Sequence, residues 1–372
     1  MTAMLRPIKK IDCAAALSAT QKMIQRFALW LCDPGRSAAQ VTEAEIKILM
    51  KTPEEAAWLW SFLSGEYERK THLERARHLA ALSNDQKTRL KEWINASTNV
   101  GVYFDLTPTG KQIPVGSPFT QDKAGKIHWG NLKDLMEAFY LKGLNQGLAY
   151  LPDGSPTADK SKALNYKTFR ADFIKFHQLD EHEYARQVCV MCNGELRNAS
   201  VDHWIPKADY PLLSVCADNL VPICGECNQS PNKGKKAVHT KGSFEDWFHP
   251  HLRHPDGTLT VVHRTSDFGV ALTSTRPSDA IRVANLNALF NLEQRWTREF
   301  KGEYRKLHCA ILTRQRKKGS PLTLESLCQQ LDDWADGLNP NQPHYEVHQA
   351  LAEALRDANR LIVWYADLNN EA

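Results

Sequence analysis

Apolar residues recur at intervals of three and four over most of the 372-residue chain, a spacing that predicts a mainly helical protein. Thr52-Pro53-Glu54-Glu55 supplies a capping threonine, a proline at the first helical position and a glutamate three residues after the cap. The helix opened there carries Leu59, Phe62 and Leu63. Ser83 with Gln86 repeats the capping signal ahead of Leu90, Trp93 and Ile94. With Trp30, Trp58 and Trp60, these rings and aliphatics are expected in the core of an α-helical bundle reaching to about residue 97; a base-stacking surface is the alternative use of the aromatics. Between Gly101 and Lys126 proline and glycine accumulate and periodicity fades, which predicts a long loop acting as linker or substrate loop. Leu132, Leu135, Met136, Phe139 and Tyr140 mark a further helix with Gly143 just past its end. Beyond a second loop at 152–162, Phe169, Phe173 and Phe176 form a buried helical stripe expected to pack on the central module.

Toward the C-terminus the period changes to two: Thr258 to Arg264 and Phe268 to Thr275 alternate as two strands turning around Ser266-Asp267, a β-hairpin. Helical spacing then returns. Trp296, Phe300, Tyr304, Leu307 and Ile311 predict one long helix ending in Arg314, Arg316, Lys317 and Lys318 before Gly319. Those cations suit a helix C-terminus through the macrodipole and also suit phosphate. Leu324, Leu327, Leu331 and Trp334 predict another helix, and Val347, Leu351, Leu355, Leu361 and Tyr365 a last one.

Between these helical parts lies a stretch of different character. Cys189 and Cys192 form one Cys-x-x-Cys pair and Cys224 and Cys227 a second, the ligand set of a closed, tetrahedral, structural Zn2+ site. Such a site leaves no coordination position open for a substrate, so any chemistry must come from neighbouring side chains. Asp202-His203 lies between the pairs with Pro206 three residues on. Asn219-Leu220-Val221 precedes the second pair, Asn228 follows it directly, and Lys233-Gly234 comes next. A histidine, neutral near pH 7, can take a proton from water, and a carboxylate with an amide oxygen can hold a hard divalent cation. A four-cysteine knuckle without catalysis is the plain alternative. Lys233, Lys235 and Lys236 read either as phosphate contacts or as a solvated loop.

In this order, Asp-His-x-x-Pro, Asn-Leu-Val, Cys-x-x-Cys-Asn and Lys-Gly resemble the HNH (ββα-metal) endonuclease family, in its four-cysteine zinc subgroup, over roughly residues 185 to 240. The resemblance implies a hairpin carrying Asp202-His203, an ordered loop, and a helix starting near the second cysteine pair. It implies His203 as general base, Asp202 and Asn228 as ligands of one catalytic Mg2+ or Mn2+, Asn219 as the residue that orders the loop, and DNA as substrate, cut one strand at a time. Asn228 stands where the family name has its second H, a variant common in the family. The expected fold is thus mainly α with a small α+β insertion: helices over 1–184, the nuclease module over 185–245, and a β-hairpin with helices over 246–372. A zinc-stabilised nucleic-acid-binding or protein-docking module is the alternative function. One small nuclease module in a chain without a recognisable sequence-reading domain also resembles, in layout, the effector subunits of anti-phage systems such as type II Zorya or Septu, which implies partner proteins.

Composition narrows this little. Net charge is +4, and from Arg186 to Lys241 seven basic residues face five acidic ones, so a grip on DNA must come largely from outside that stretch. Beyond the two pairs, Cys13, Cys32, Cys216, Cys309 and Cys328 are odd in number and have no framework spacing, which predicts a reducing, cytoplasmic setting. Asp12, and Gln21-Lys22 soon after it, interrupt the early apolar run too soon for a signal peptide, and no run is long enough to insert in a membrane.

Overall fold

The computed structural model describes residues 10–104, 110–176, 188–196, 200–253, 255, 257–340 and 342–371. Arg6, Lys9, Arg186, Arg197, Asn198, the 184/185 boundary and the side chain of Phe176 lie outside that description. The protein is mainly helical with small antiparallel sheets.

The first part packs α1 (Ala14–Leu31), α2 (Glu43–Leu49), α3 (Pro53–Leu63), α4 (His72–Ala80) and α5 (Asn84–Thr98), with a short β1–β2 pair (Glu66–Tyr67, Lys70–Thr71) between α3 and α4. The expected caps are present. Thr52 Oγ1 accepts from the Glu55 N–H at 3.3 Å, and Ser83 and Gln86 cap α5 reciprocally. Leu59, Phe62, Leu63, Leu90, Trp93, Ile94 and Trp30 are buried, whereas Trp58 and Trp60 are only half-buried.

The proline- and glycine-rich stretch is more ordered than its pattern suggests. Ile113 is buried and its N–H donates to Gly242 O at 2.9 Å, while Trp93 Nε1 donates to Gly116 O at 3.0 Å. Isolated apolar anchors like Ile113 and Phe119 leave no periodic signal, so residues 110–121 read as free loop although they are pinned. α6 (Lys123–Ala138) starts inside that predicted loop, capped by Asp122, whose Oδ1 accepts from the Gly125 N–H at 2.7 Å. Gly143 does not end it. The helix runs on through a π-helical turn, Phe139–Leu144, where a Cβ on Gly143 would stand 3.2 Å from the Trp58 ring, so this glycine permits close packing rather than termination. α7 (Tyr166–Phe176) buries Phe169 and Phe173.

β3 (Ser200–His203) pairs antiparallel with β4 (Leu220–Ile223), Asp202 opposite Val221 and His203 opposite Leu220, and the short helix α8 (Gly225–Asn228) follows. The second hairpin, β5 (Leu259–Arg264) with β6 (Gly269–Ser274), lies where alternation predicted it. α9 (Ala280–Phe290), α10 (Leu292–Lys318), α11 (Leu324–Asp336), α12 (Tyr345–Arg356) and α13 (Ala358–Asn370) complete the chain. The single last helix expected from Val347 to Tyr365 is two. Asp357 leaves helical geometry (φ −59°, ψ 126°) and accepts from the Arg360 N–H at 3.1 Å, so it starts a new helix instead of continuing the old one. Apolar packing is continuous from α1 to α13 and runs through the β3–β4 hairpin, with Trp204, Trp296 and Trp364 among the fully buried side chains. Among the described residues no helix is long and apolar enough to cross a membrane.

One buried carboxylate ties α1, α3 and the segment before α7. Glu55 accepts from Tyr150 Oη at 2.6 Å and from Arg26 Nη1 and the Lys51 N–H at 2.9 Å each. Burial pushes its carboxyl up, but Tyr150, Lys51 and Arg26 together hold it below the ordinary carboxylate value. Glu55→Ala is therefore expected to destabilise the protein by about 3 kcal/mol at pH 7, because it strands Arg26 and Tyr150 without their acceptor. A carboxylate favoured in its charged form stabilises above the unfolded-state pKa and loses that contribution as pH falls, so the gap to wild type in urea unfolding should close below about pH 4. A gap independent of pH would show that the charge of Glu55 is not what matters.

Candidate functional site

The two Cys-x-x-Cys pairs meet in one buried cluster. Cys189 Sγ lies 3.9 Å from Cys227 Sγ and Cys192 Sγ 3.8 Å from Cys224 Sγ, and all four sulphurs fall within 4.8 Å of one another. Sulphurs at about 2.3 Å from a tetrahedral centre are separated by about 3.8 Å, so the spacing fits Zn2+. The local backbone explains the first pair. The Cys189 N–H donates to Gly194 O at 2.7 Å and the Asn193 N–H to Cys189 O at 2.9 Å, folding 189–194 into a knuckle with Asn193 in the left-handed region (φ 54°). Gly194 lets the knuckle pack closely, since a Cβ would come 3.0 Å from the His344 ring and 3.3 Å from Cys192 Sγ.

Further groups address the sulphurs. The Cys224 N–H donates to Cys189 Sγ at 3.3 Å, and Arg295 Nη1 to Cys227 Sγ at 3.2 Å. Four thiolates around one Zn2+ carry a net charge of −2, and a guanidinium held against them lowers the cost of burying it. Trp296 Nε1 donates to Cys192 O at 2.8 Å, so α10 grips both pairs. The spacing of the cysteines announced the cluster, whereas Arg295 and Trp296 come from more than sixty residues downstream with no local signal.

Asp202 and His203 close strand β3, 7% and 8% exposed. His203 Nε2 donates to Ser214 O at 2.8 Å, which fixes the tautomer and leaves the lone pair on Nδ1; among the described residues nothing hydrogen-bonds Nδ1. The Tyr140 ring, on the π-helical turn, meets the imidazole edge to face at 4.6 Å. Burial, and after it the neighbouring Lys207, pushes the imidazole pKa down to about 3. Ser214 is held in turn by α6, its Oγ donating to Met136 O at 2.8 Å. Asn219 is fully buried. Its Oδ1 accepts from the Ile205 N–H at 2.7 Å, and its Nδ2 donates to Ile205 O at 2.9 Å and Leu213 O at 3.2 Å, so one amide pins both ends of the loop between Ile205 and Leu213. Asn228 is half-buried at the end of α8, which packs against β3.

Lys233 is not a phosphate contact. Its side chain is 1% exposed, and the ammonium lies 2.7 Å from Asp202 Oδ2 and donates to His203 O at 2.8 Å. The ammonium is thus the close charged partner of that buried oxygen. Burial raises the Asp202 carboxyl to about 6 despite Lys233. A buried carboxylate has the oxygen chemistry that suits a hard cation, and here its charge is met by an ammonium.

Farther off, a cleft of about 790 Å³ is lined by Glu299, Glu303 and His348, whose ligand atoms lie within 4.8 Å of one another. Pairing within the protein accounts for them: His348 Nε2 meets Glu299 Oε1 at 3.2 Å and Lys306 Nζ meets Glu303 Oε2 at 2.9 Å.

No protein-family model matches the chain, and no solved structure matches it. Among curated proteins, Protein ea31 of Escherichia phage lambda is similar to it, 34% identical over 64 residues, a stretch that covers 17% of this chain and 21% of that protein.

Zinc in a structural four-cysteine site contributes on the order of 10 kcal/mol or more to folding. The double variant Cys192→Ser/Cys227→Ser is expected to lose stoichiometric zinc in elemental analysis and to unfold the 188–228 region in hydrogen exchange. A double variant that still binds one zinc per chain would refute the assignment.

Proposed function

We propose that the chain is a metal-dependent endonuclease of the HNH type that hydrolyses DNA phosphodiester bonds, with His203 as the general base. The observation that carries the reading is the pairing of two buried groups at the end of β3: an imidazole fixed through Nε2 on the Ser214 carbonyl with its Nδ1 lone pair available, next to a buried carboxylate whose pKa is raised to about 6. The run of hairpin, amide-pinned loop and short helix beside a four-sulphur cluster supports it further.

In this reading Nδ1 of His203 takes a proton from the attacking water as its oxygen bonds to phosphorus, and the bond to the 3′-oxygen breaks. That leaves a 5′-phosphate and a 3′-hydroxyl once the departing oxygen is protonated by solvent. Ser214 O keeps Nε2 protonated, so the base always presents the same nitrogen. Burial keeps the imidazole neutral, and the negative phosphate entering beside it raises its basicity toward the working pH. Asp202 and Asn228 would hold a divalent cation, which when bound would supply charge compensation for the phosphate and leaving oxygens. Lys233 holds the Asp202 carboxylate and the His203 carbonyl together, and so sets the angle between the two working side chains.

His203→Ala should keep fold and zinc while nicking of supercoiled plasmid in Mg2+ falls by a factor on the order of 10² to 10⁴; a folded variant cutting at the wild-type rate would remove His203 from the mechanism. Sequence alone would set the acid limit at the histidine, near its ordinary value of about 6.5. With His203 near 3 and Asp202 near 6, that range belongs to Asp202 instead. Mn2+ binding, followed by calorimetry, should therefore weaken about tenfold per pH unit below about 6, where a proton must be displaced from the carboxyl. Binding that is flat from pH 7 to 5 would exclude Asp202 as the ligand. A single base also implies that open circles precede linear DNA, and linear product without that intermediate from a monomer on DNA would count against a one-site enzyme.

A further inference from the structure

The cysteine-bounded stretch carries too little net charge to hold DNA by itself, and Lys233 is too deeply buried to help. Three other lysines gather around Glu137, and one of them, Lys207, reaches the ring that meets His203. Lys207, half-buried, places Nζ 5.2 Å over the Tyr140 ring, which also meets the His203 imidazole at 4.6 Å. Lys133 reaches across from α6, its Nζ 3.9 Å from Glu137 Oε1. Lys235 is exposed and acts on the same Glu137, whose carboxyl burial pushes up while Lys207, Lys133 and Lys235 pull it down. Three ammonium groups thus share one half-buried carboxylate. The neighbouring Asp134 is engaged by Arg75 at 3.3 Å. Positive charge is therefore in surplus, and it lies two ring contacts from the candidate base.

We propose that Lys133, Lys207 and Lys235 form a seat for backbone phosphates of double-stranded DNA next to His203, with α6 contributing a contact from outside the cysteine-bounded segment. The inference rests on the endonuclease reading for its substrate, but it concerns binding and can stand or fall separately. A point charge over a ring suits phosphate, which asks for charge rather than shape, so the seat is indifferent to base sequence. Its residues belong to two parts of the chain far apart in sequence, and the Ser214–Met136 hydrogen bond holds those parts in register.

The test uses the full-length protein with His203→Ala, so that DNA is not consumed, and a fluorescent mixed-sequence duplex titrated by anisotropy at several salt concentrations. Removing one cation from a phosphate lowers the slope of log K against log salt by about 0.9. The triple variant Lys133→Gln/Lys207→Gln/Lys235→Gln should reduce the slope by between about two and three units, with zinc content and melting temperature unchanged. The pair Lys317→Gln/Lys318→Gln, at the far end of α10, should leave the slope intact. Should the triple variant fold poorly, Lys133→Gln and Lys235→Gln singly, neither of them buried, should each reduce it by about one unit. An unchanged slope, an equal reduction in the α10 control, or no binding of the duplex at all would overturn the seat. Wild-type nicking in Mg2+ is scored in parallel. Nicking with an unchanged slope defeats the seat and spares the enzyme, whereas a reduced slope without nicking spares the seat and defeats the enzyme.

Discussion

Four sulphurs crowded within 4.8 Å of one another in a buried space cannot all be thiolates unless a cation sits among them, and the centre of this molecule is built around that constraint. Burial alone pushes the Cys189 thiol up, toward its neutral form. With Zn2+ the cluster closes, and three distant pieces of chain are fixed against one another: the knuckle at 189–194, the start of α8 and the first turn of α10 through Arg295 and Trp296. The second buried charge, Lys233 on Asp202, lies at the end of the hairpin whose other strand leads directly to Cys224. Buried charge is therefore handled twice in succession along one short stretch, at a four-sulphur cluster that fits a metal ion and at a carboxylate paired with an ammonium.

What could be read from residues alone was what local chemistry announces. Capping pairs at Thr52–Glu55 and Ser83–Gln86 mark helix starts because they satisfy the N–H groups of the first turn within four residues. The cysteine pairs and the alternation of β5 and β6 are equally local. Other features were hidden because their cause is tertiary. Gly143 looks like a terminator until the Trp58 ring is seen against it, and α9 begins without any capping side chain. Lys233 sits in a short lysine run and reads as solvated. Its partner Asp202 stands on β3, well upstream in sequence, and only the folded hairpin brings the two together.

The aromatic wall of the site was also out of reach of periodicity. Tyr140 continues the apolar stripe of α6 into the π-helical turn and reads as ordinary core, yet its ring packs against the imidazole of His203 and under the ammonium of Lys207. Nothing in a helical pattern says which ring will face a histidine far along the chain. The hydrogen bond from Ser214 to Met136 belongs to the same class of fact: it joins the loop pinned by Asn219 to the end of α6, and neither partner carries a motif.

The π-helical turn at Phe139–Leu144 gives that wall a particular phase. Such a turn is an α-helix that has accommodated one extra residue, and each residue of an ordinary helix turns its neighbours by about 100°. Straightening the turn into regular α-helix with all its residues kept would rotate everything beyond it by about that angle, because the wide turn is what absorbs the extra residue. Tyr140 and Gly143 would then no longer both face their present partners, His203 on one side and Trp58 on the other. The width of this turn is therefore constrained more tightly than its composition: many residues could fill it, but the same residues wound as regular α-helix could not keep both contacts.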